Sequence, residues 1–211
     1  MSALGARSDE PLPDRSREVL DAAAWLFARS GYHGAGVREI AQRVGMKAGS
    51  LYFHLKSKDE ALEAVCAYGL KASLRYSRRA LEAGPELSSQ LRALLRAQAE
   101  ELKQDGDYVA TYLTERRHLT PEARERIASL NQEYRSFLDQ LFQNAQARGE
   151  LRPDVDVRAA SLITAGLLRN LSQLYTQGPI RGFDDFVRDS AEVLVRGLSP
   201  VPARPRRSSP G

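Results

Sequence analysis

The sequence predicts an all-α fold, and three observations carry that expectation. Apolar residues recur at three- and four-residue spacing through almost every segment between residues 14 and 198, no run alternates with period two, and Gly, Pro and hydroxyl residues stand where helices would start and stop. At 211 residues the chain suffices for one sizeable helical unit or two small ones. Its hydrophobic share of 42% is ordinary, and uncharged apolar runs such as residues 159–168 fall well short of a membrane span.

In chain order, residues 1–13 are poor in apolar groups and are expected to form a disordered arm. A first helix over residues 14–30 turns Val19, Ala23, Leu26 and Phe27 inward and stops at Gly31. Two short helices follow, over 37–44 and 47–55, and Ser57 then caps a longer one over 58–83 that Gly84-Pro85 closes. Gln104-Asp105-Gly106 is expected to divide the next stretch into helices over 86–103 and 107–118. Thr120 serves as N-cap to a helix over 121–147 with Pro121 at its first position, and Ile127, Leu130, Tyr134, Phe137 and Leu141 make an apolar stripe along it. Helices over 157–175 and 183–198, parted by Gly178-Pro179, precede a disordered basic tail over 199–211. The organisation expected is an arm (1–13), a three-helix head (14–58), a helical ligand-binding and dimerisation domain (59–198) and a tail (199–211).

Between residues 38 and 52 the chain carries a helix-turn-helix constellation. Ala41 is small enough for the second helix of the pair to cross closely; Gly45, four residues on, permits positive φ in the turn; Leu51, six further, closes a small core with Ile40, Val44 and Met46. Such a turn aims the N-terminal residues of the next helix into a DNA major groove. That helix offers Lys47, Ala48, Gly49, Ser50, Tyr52 and His54. The small residues allow close approach to bases, Ala48 to a thymine methyl and Ser50 as donor or acceptor. Tyr52, His54, Lys56 and Lys58 suit phosphates. His54 serves equally as a packed imidazole, whereas Leu51 and Phe53 are expected in the core. From Arg38 to Lys58 five cations (Arg38, Arg43, Lys47, Lys56, Lys58) stand against Glu39 alone, the footprint of a phosphate-contacting face or of a solvated one.

On these residues the stretch from Arg17 to Val65 resembles the N-terminal domain of the tetracycline-repressor (TetR) family. The resemblance rests on Val19-Leu20-Asp21-Ala22-Ala23 with Leu26-Phe27, on Gly31-Tyr32, on Val37 to Ala41, and on Gly45 followed by Gly49 to Lys58. It implies a three-helix DNA-binding head, a connecting helix and a larger helical domain that dimerises and binds a small effector releasing the DNA. Two positions depart from the family. Ala35-Gly36 stands where a hydroxyl residue commonly caps the second helix and touches a phosphate, so that contact is lost and Arg38 is expected to compensate. Leu55 replaces a frequent aromatic residue.

In the second domain the last two helices are expected to pair with a second copy of the chain, through Leu162, Ala165, Gly166, Leu167 and Leu174 on one and Phe183, Phe186, Val187, Leu194 and Leu198 on the other, or to bury those stripes within one protomer, and both can hold because a helix has two faces to bury. Two copies would then meet two half-sites of a palindromic operator. Polar residues within apolar helices mark the effector site: Tyr112 and Arg116 near one helix end, Arg169, Asn170 and Gln173 on another. An arginine amid Leu167, Leu168 and Leu171 faces either a cavity or an ion pair at an interface. The 115–121 and 162–179 stretches are somewhat similar to TetR members that respond to acyl-CoA thioesters, although the tryptophan frequent in the penultimate helix of that group is missing. A drug or antibiotic is the competing effector, and activation the competing mode of regulation.

Other classes are disfavoured. His33, His54 and His118 are isolated, no Gly-x-Ser-x-Gly or Cys-x-x-Cys occurs, and Asp105-Gly106-Asp107 is too short for a calcium loop, so no catalytic residue, metal or cofactor is expected. The lone Cys66 suits a reducing compartment, and no apolar leader precedes the first helix, so a cytoplasmic place is expected. A protein coating DNA without sequence preference remains the alternative to a sequence-specific regulator.

Overall fold

The computed structural model describes residues 14–178 and 181–200, so the arm over 1–13 and most of the tail lie outside the described residues. Within them eight α-helices follow one another: α1 (Asp14–Gly34), α2 (Val37–Arg43), α3 (Ala48–Leu51), α4 (Lys58–Ala80), α5 (Leu87–Glu115), α6 (Pro121–Ala147), α7 (Val157–Thr176) and α8 (Phe183–Leu198). No strand occurs among the described residues. Short 3₁₀ turns extend α4 over Leu81–Ala83 and α5 over Arg116–His118.

Local chemistry sets most boundaries. Ser57 accepts the Glu60 N–H at the start of α4, Thr120 the Ala123 N–H before Pro121 of α6, and Asp156 the Ala159 N–H before α7. Each satisfies one donor that the first helical turn leaves open. At Gly31 the backbone leaves the helical region (φ 69°, ψ 172°) before one more turn closes α1, so the expected stop survives as a sharp irregularity. In the turn between α2 and α3, Gly45 has φ 68° and the Met46 N–H closes back on the Ala41 carbonyl at 2.8 Å.

Two expectations fail for identifiable reasons. The third helix was expected over 47–55 but spans four residues, Ala48–Leu51. Beyond it Phe53 and His54 bond back only three residues, to Ser50 and Leu51, a tightening natural in a segment with Gly49 and no long apolar stripe to hold a regular helix. Conversely, Gln104-Asp105-Gly106 does not divide α5. It produces a kink at Asp105 (φ −114°, ψ 21°) within one helix, because burial continues on both sides, through Leu94, Leu95 and Leu102 before it and Tyr108, Val109 and Thr111 after it. Packing overrides the local breaker.

There are two apolar clusters. One joins α1, α2, α3, the first half of α4 and the start of α6 around Phe27, Ile40, Leu51 and Leu62; the other joins α5, the second half of α6, α7 and α8 around Leu91, Leu95, Phe142 and Leu171. Arg17 of α1 ties them together. Its guanidinium donates to Asp21 at 2.8 Å and to Asp105 at the α5 kink at 3.0 Å, bonds the Tyr68 hydroxyl, and lies 4.3 Å from that ring's centre. The Tyr108 hydroxyl completes the group by donating to Asp21 at 2.5 Å.

A Cβ on Gly45 would meet nothing within 4 Å, so its only constraint is the backbone conformation. Gly45→Ala should therefore cost about 1 kcal/mol of stability through positive φ alone, read as a lower denaturant midpoint at unchanged slope. A neutral substitution would show the turn to be relaxed.

Candidate DNA-reading face and ligand cavity

The head exposes one continuous face around α3. Arg38, Lys47, Gly49, Ser50, Tyr52 and Lys56 are exposed on it, with Ala48 half-buried. Ala41 and Leu51 are buried beneath it (2% and 0% exposed) and fix its shape. Leu55 is buried as expected, but Phe53, expected in the core, is 82% exposed beside Tyr52 at 54%. The tight turns after Leu51 rotate Phe53 outward, a consequence of the short α3 that periodicity could not show. An aromatic pair thus projects from the tip of the head.

Not every cation of this stretch is available. Arg43 lies 3.6 Å from the centre of the Trp25 ring, pinning α2 to α1 by a cation–π contact. Lys58 places its ammonium 4.6 Å from the Tyr32 ring centre and 3.4 Å from the His33 carbonyl. His54 shares a 3.2 Å contact between Nδ1 and the Ser16 hydroxyl. At the Ala35-Gly36 entry no side chain caps α2; instead Glu39 reaches back to accept the Gly36 N–H at 2.8 Å, and Ala35 is buried (2% exposed). Arg38 remains exposed beside it.

The second domain holds a half-open cavity of about 780 Å³ between α4, α5, α6 and α7, within the range typical of small-molecule sites. Its middle is apolar, with Val109, Leu113, Leu119, Ile127, Leu138 and Leu168, and six arginines stand around it: Arg116, Arg117, Arg124, Arg135, Arg158 and Arg169. Asp139 is the single acidic residue of the lining. Among the described residues Arg135, Arg158 and Arg169 make no ion pair, whereas Arg116 lies 5.1 Å from the Tyr112 ring centre. Tyr112 lines the wall and exchanges hydrogen bonds with Asn131. Asn170 and Gln173, expected in this site, do not reach it: the α7 lining consists of Arg158, Ser161, Leu162, Ala165, Leu168, Arg169 and Ser172. At about 100° per residue the part from Ser161 to Ser172 covers roughly a third of the helix circumference, and Asn170 and Gln173 fall beyond its edge and are exposed.

Behind the wall Glu101 of α5 is 1% exposed. It accepts a hydrogen bond from Ser73 and another, at 2.9 Å, from Gln98, both lining residues. Burial pushes its carboxyl up to about 7. Cys66, fully buried in the head cluster, is pushed up to about 12 by the same cause and is an unreactive thiol. No grouping of three or more His, Cys, Asp or Glu side chains able to hold a metal ion occurs among the described residues.

Cavity and head meet at the end of α5. Glu115, 7% exposed, accepts the Tyr32 N–H at 2.7 Å. His118 stacks on Tyr32 with centroids 5.2 Å apart and meets His33 edge-on at 4.6 Å. Tyr32 also bonds Asp59 at the start of α4 through its hydroxyl. Sequence reasoning noted residues 115–121 for a family likeness and read His33 and His118 as isolated; it missed this junction because the partners lie more than eighty residues apart.

Two family models match: residues 19–65 fit "bacterial regulatory proteins, tetR family", and residues 84–198 fit "tetracyclin repressor-like, C-terminal domain". The chain belongs to the TetR family. It is thus a helix-turn-helix transcription regulator, with α1 to α3 in the first match, α5 to α8 in the second, and α4 connecting the two. A TetR relative, the HTH-type transcriptional repressor KstR2 of Rhodococcus jostii, is 31% identical over 88% of this chain and 91% of its own length. The structure of KstR2 of Mycobacterium tuberculosis, a ketosteroid transcriptional regulator, superposes with a TM-score of 0.76 at 22% identity, covering 92% of this chain and all of that one. AibR, solved with isovaleryl coenzyme A and operator DNA, has a TM-score of 0.74 at 24% identity, covering 86% and 98%. Both superpositions establish the TetR fold. Among the described residues no helix is long and apolar enough to cross a membrane.

The buried carboxyl of this TetR chain makes a signed prediction. Unfolded, Glu101 titrates near its ordinary 4.5, and folded near 7. Between those values the folded state keeps a proton that the unfolded state releases, so stability is lost as pH rises through that window. The full shift corresponds to about 3 kcal/mol. Glu101→Gln should therefore raise the melting temperature, relative to wild type, more at pH 8 than at pH 5. An equal shift at both values would show that Glu101 is not held protonated.

Proposed function

We propose that the protein is a cytoplasmic homodimeric repressor, without catalytic activity, that leaves a palindromic operator when an acyl-CoA-like effector enters the cavity. The observation that carries the effector class is the pairing of an apolar chamber with six arginines and one carboxylate. Such a lining suits a ligand with an apolar chain and several negative charges, the make-up of an acyl thioester of coenzyme A, better than a flat uncharged drug. The isovaleryl-CoA held by AibR supports the same class.

At the head, Ala48, Gly49 and Ser50 approach base edges while Arg38, Lys47, Tyr52 and Lys56 hold phosphates. His54 and Lys58, although assigned here to phosphates as well, also serve the packing of the head through Ser16 and Tyr32. For the dimer, Leu162 and Ile163 on α7 and Phe186 and Val193 on α8 are 62%, 57%, 44% and 73% exposed, a concentration of apolar surface that a partner copy would cover. Phe183, Val187, Leu194 and Leu198, also expected at that interface, are instead buried within the protomer (8% exposed or less). The two faces of α8 divide between core and partner.

Tyr52→Ala should weaken operator binding about tenfold, the equivalent of 1.4 kcal/mol, while sedimentation still reports a dimer. In fluorescence anisotropy with labelled operator, decanoyl-CoA should release the wild-type protein, and replacing Arg158 and Arg169 together by Met should raise the concentration needed by about tenfold or more. Equal affinity for operator and random duplex would exclude a specific repressor, and indifference to every acyl-CoA tested would exclude this effector class.

A further inference from the structure

The cavity wall contains a hydroxyl that the fold leaves unused. Ser161 of α7 lines the cavity, is 6% exposed, and its Oγ has no hydrogen-bond partner. Buried serines in helices normally return their proton to the carbonyl four residues earlier, as Ser172 on the same helix does to Leu168 at 3.0 Å. Ser161 does not. A buried hydroxyl left in this state is unfavourable unless something else satisfies it. Among the described residues Gln90 and Thr164 carry the other unpartnered buried side-chain oxygens, and neither lines the cavity.

A second polar group enters from α5. Gln98 is 8% exposed and lines the cavity. Its amide nitrogen is engaged by Glu101 at 2.9 Å, and Ser73, another lining residue, donates to the same carboxyl. Glu101 therefore fixes the orientation of the Gln98 amide, whose Oε1 accepts no bond among the described residues. Two helices thus present unpaired hydrogen-bonding oxygens to the cavity. A saturated alkyl chain would leave both unanswered, and a site with buried polar groups discriminates strongly against a ligand that cannot pair them.

We infer that the effector is an oxygenated acyl thioester, whose apolar part carries a hydroxyl or keto group that hydrogen-bonds Ser161 inside the cavity. The inference rests on the acyl-CoA reading above and narrows it. Ser161 can donate to a ketone or pair with a hydroxyl in either sense, while the Gln98 Oε1 accepts only from a hydroxyl.

Isothermal titration of the full-length protein tests this with decanoyl-CoA and chain-matched hydroxydecanoyl- and oxodecanoyl-CoA, the oxygen placed at successive carbons. At one position the oxygenated ligand should bind about tenfold more tightly than decanoyl-CoA. Ser161→Ala should remove most of that preference, raising decanoyl-CoA affinity and lowering that of the oxygenated ligand, without lowering the melting temperature, because it deletes a buried hydroxyl that has no partner. Preference for a hydroxyl over a ketone at that carbon would bring Gln98 into the contact, and equal preference would confine it to Ser161. If decanoyl-CoA binds and no oxygenated isomer is favoured, or if the preference survives Ser161→Ala, the inference is overturned and the acyl-CoA reading stands. If no thioester binds, both are overturned.

Discussion

The carboxylate of Glu115 takes the Tyr32 N–H at 2.7 Å, and the rest of the architecture is arranged around what this bond joins. On one side is the last turn of the head's first helix, opened by the positive φ of Gly31. On the other is the end of α5, whose neighbouring residues Tyr112, Leu113 and Arg116 line the cavity. A Cβ on Gly31 would stand 3.5 Å from the Glu115 carboxylate, an ordinary contact, so it is the backbone conformation that calls for glycine there. A hydrogen bond to a buried charged acceptor contributes about 1.5–3 kcal/mol and loses much of that when its geometry shifts. The cavity wall and the head are therefore joined through one short segment.

A second clamp holds α1 from its other end. Arg17, Asp21, Tyr68, Asp105 and Tyr108 form a hydrogen-bonded group in which the α5 kink supplies the carboxylate. The two clamps sit at opposite ends of α1 and both rest on α5. Both clamps thus fix the placement of the head on α5. The head's internal core, with Phe27, Ile40 and Leu51 fully or almost fully buried, is close-packed, and such interiors transmit displacement more readily than they deform.

Much of this was legible in the sequence, and the failures share a physical cause. Ala41, Gly45 and Leu51 disclosed the helix-turn-helix because each constrains the others at fixed local spacing, and the caps Ser57 and Thr120 disclosed two helix starts for the same reason. What escaped depends on contacts distant along the chain. The Gln104-Asp105-Gly106 signal was overridden by burial against α1 and α4. Phe53 turned outward because α3 stops early. Asn170 and Gln173 shared a helix with Arg169 but not its face. The Glu115 and Tyr32 pairing spans 83 residues, and no local pattern encodes it. Ser161, an ordinary serine in an apolar helix, became informative only once its hydroxyl was seen to lack a partner.

The central claim, that effector and operator communicate through the end of α5, is tested most directly by measuring decanoyl-CoA affinity with and without saturating operator in the wild type and in Glu115→Gln. Coupling between sites is reciprocal, so operator should weaken decanoyl-CoA binding to the wild type. In Glu115→Gln that difference should collapse towards none while each ligand alone still binds. Undiminished coupling in the variant would contradict the account.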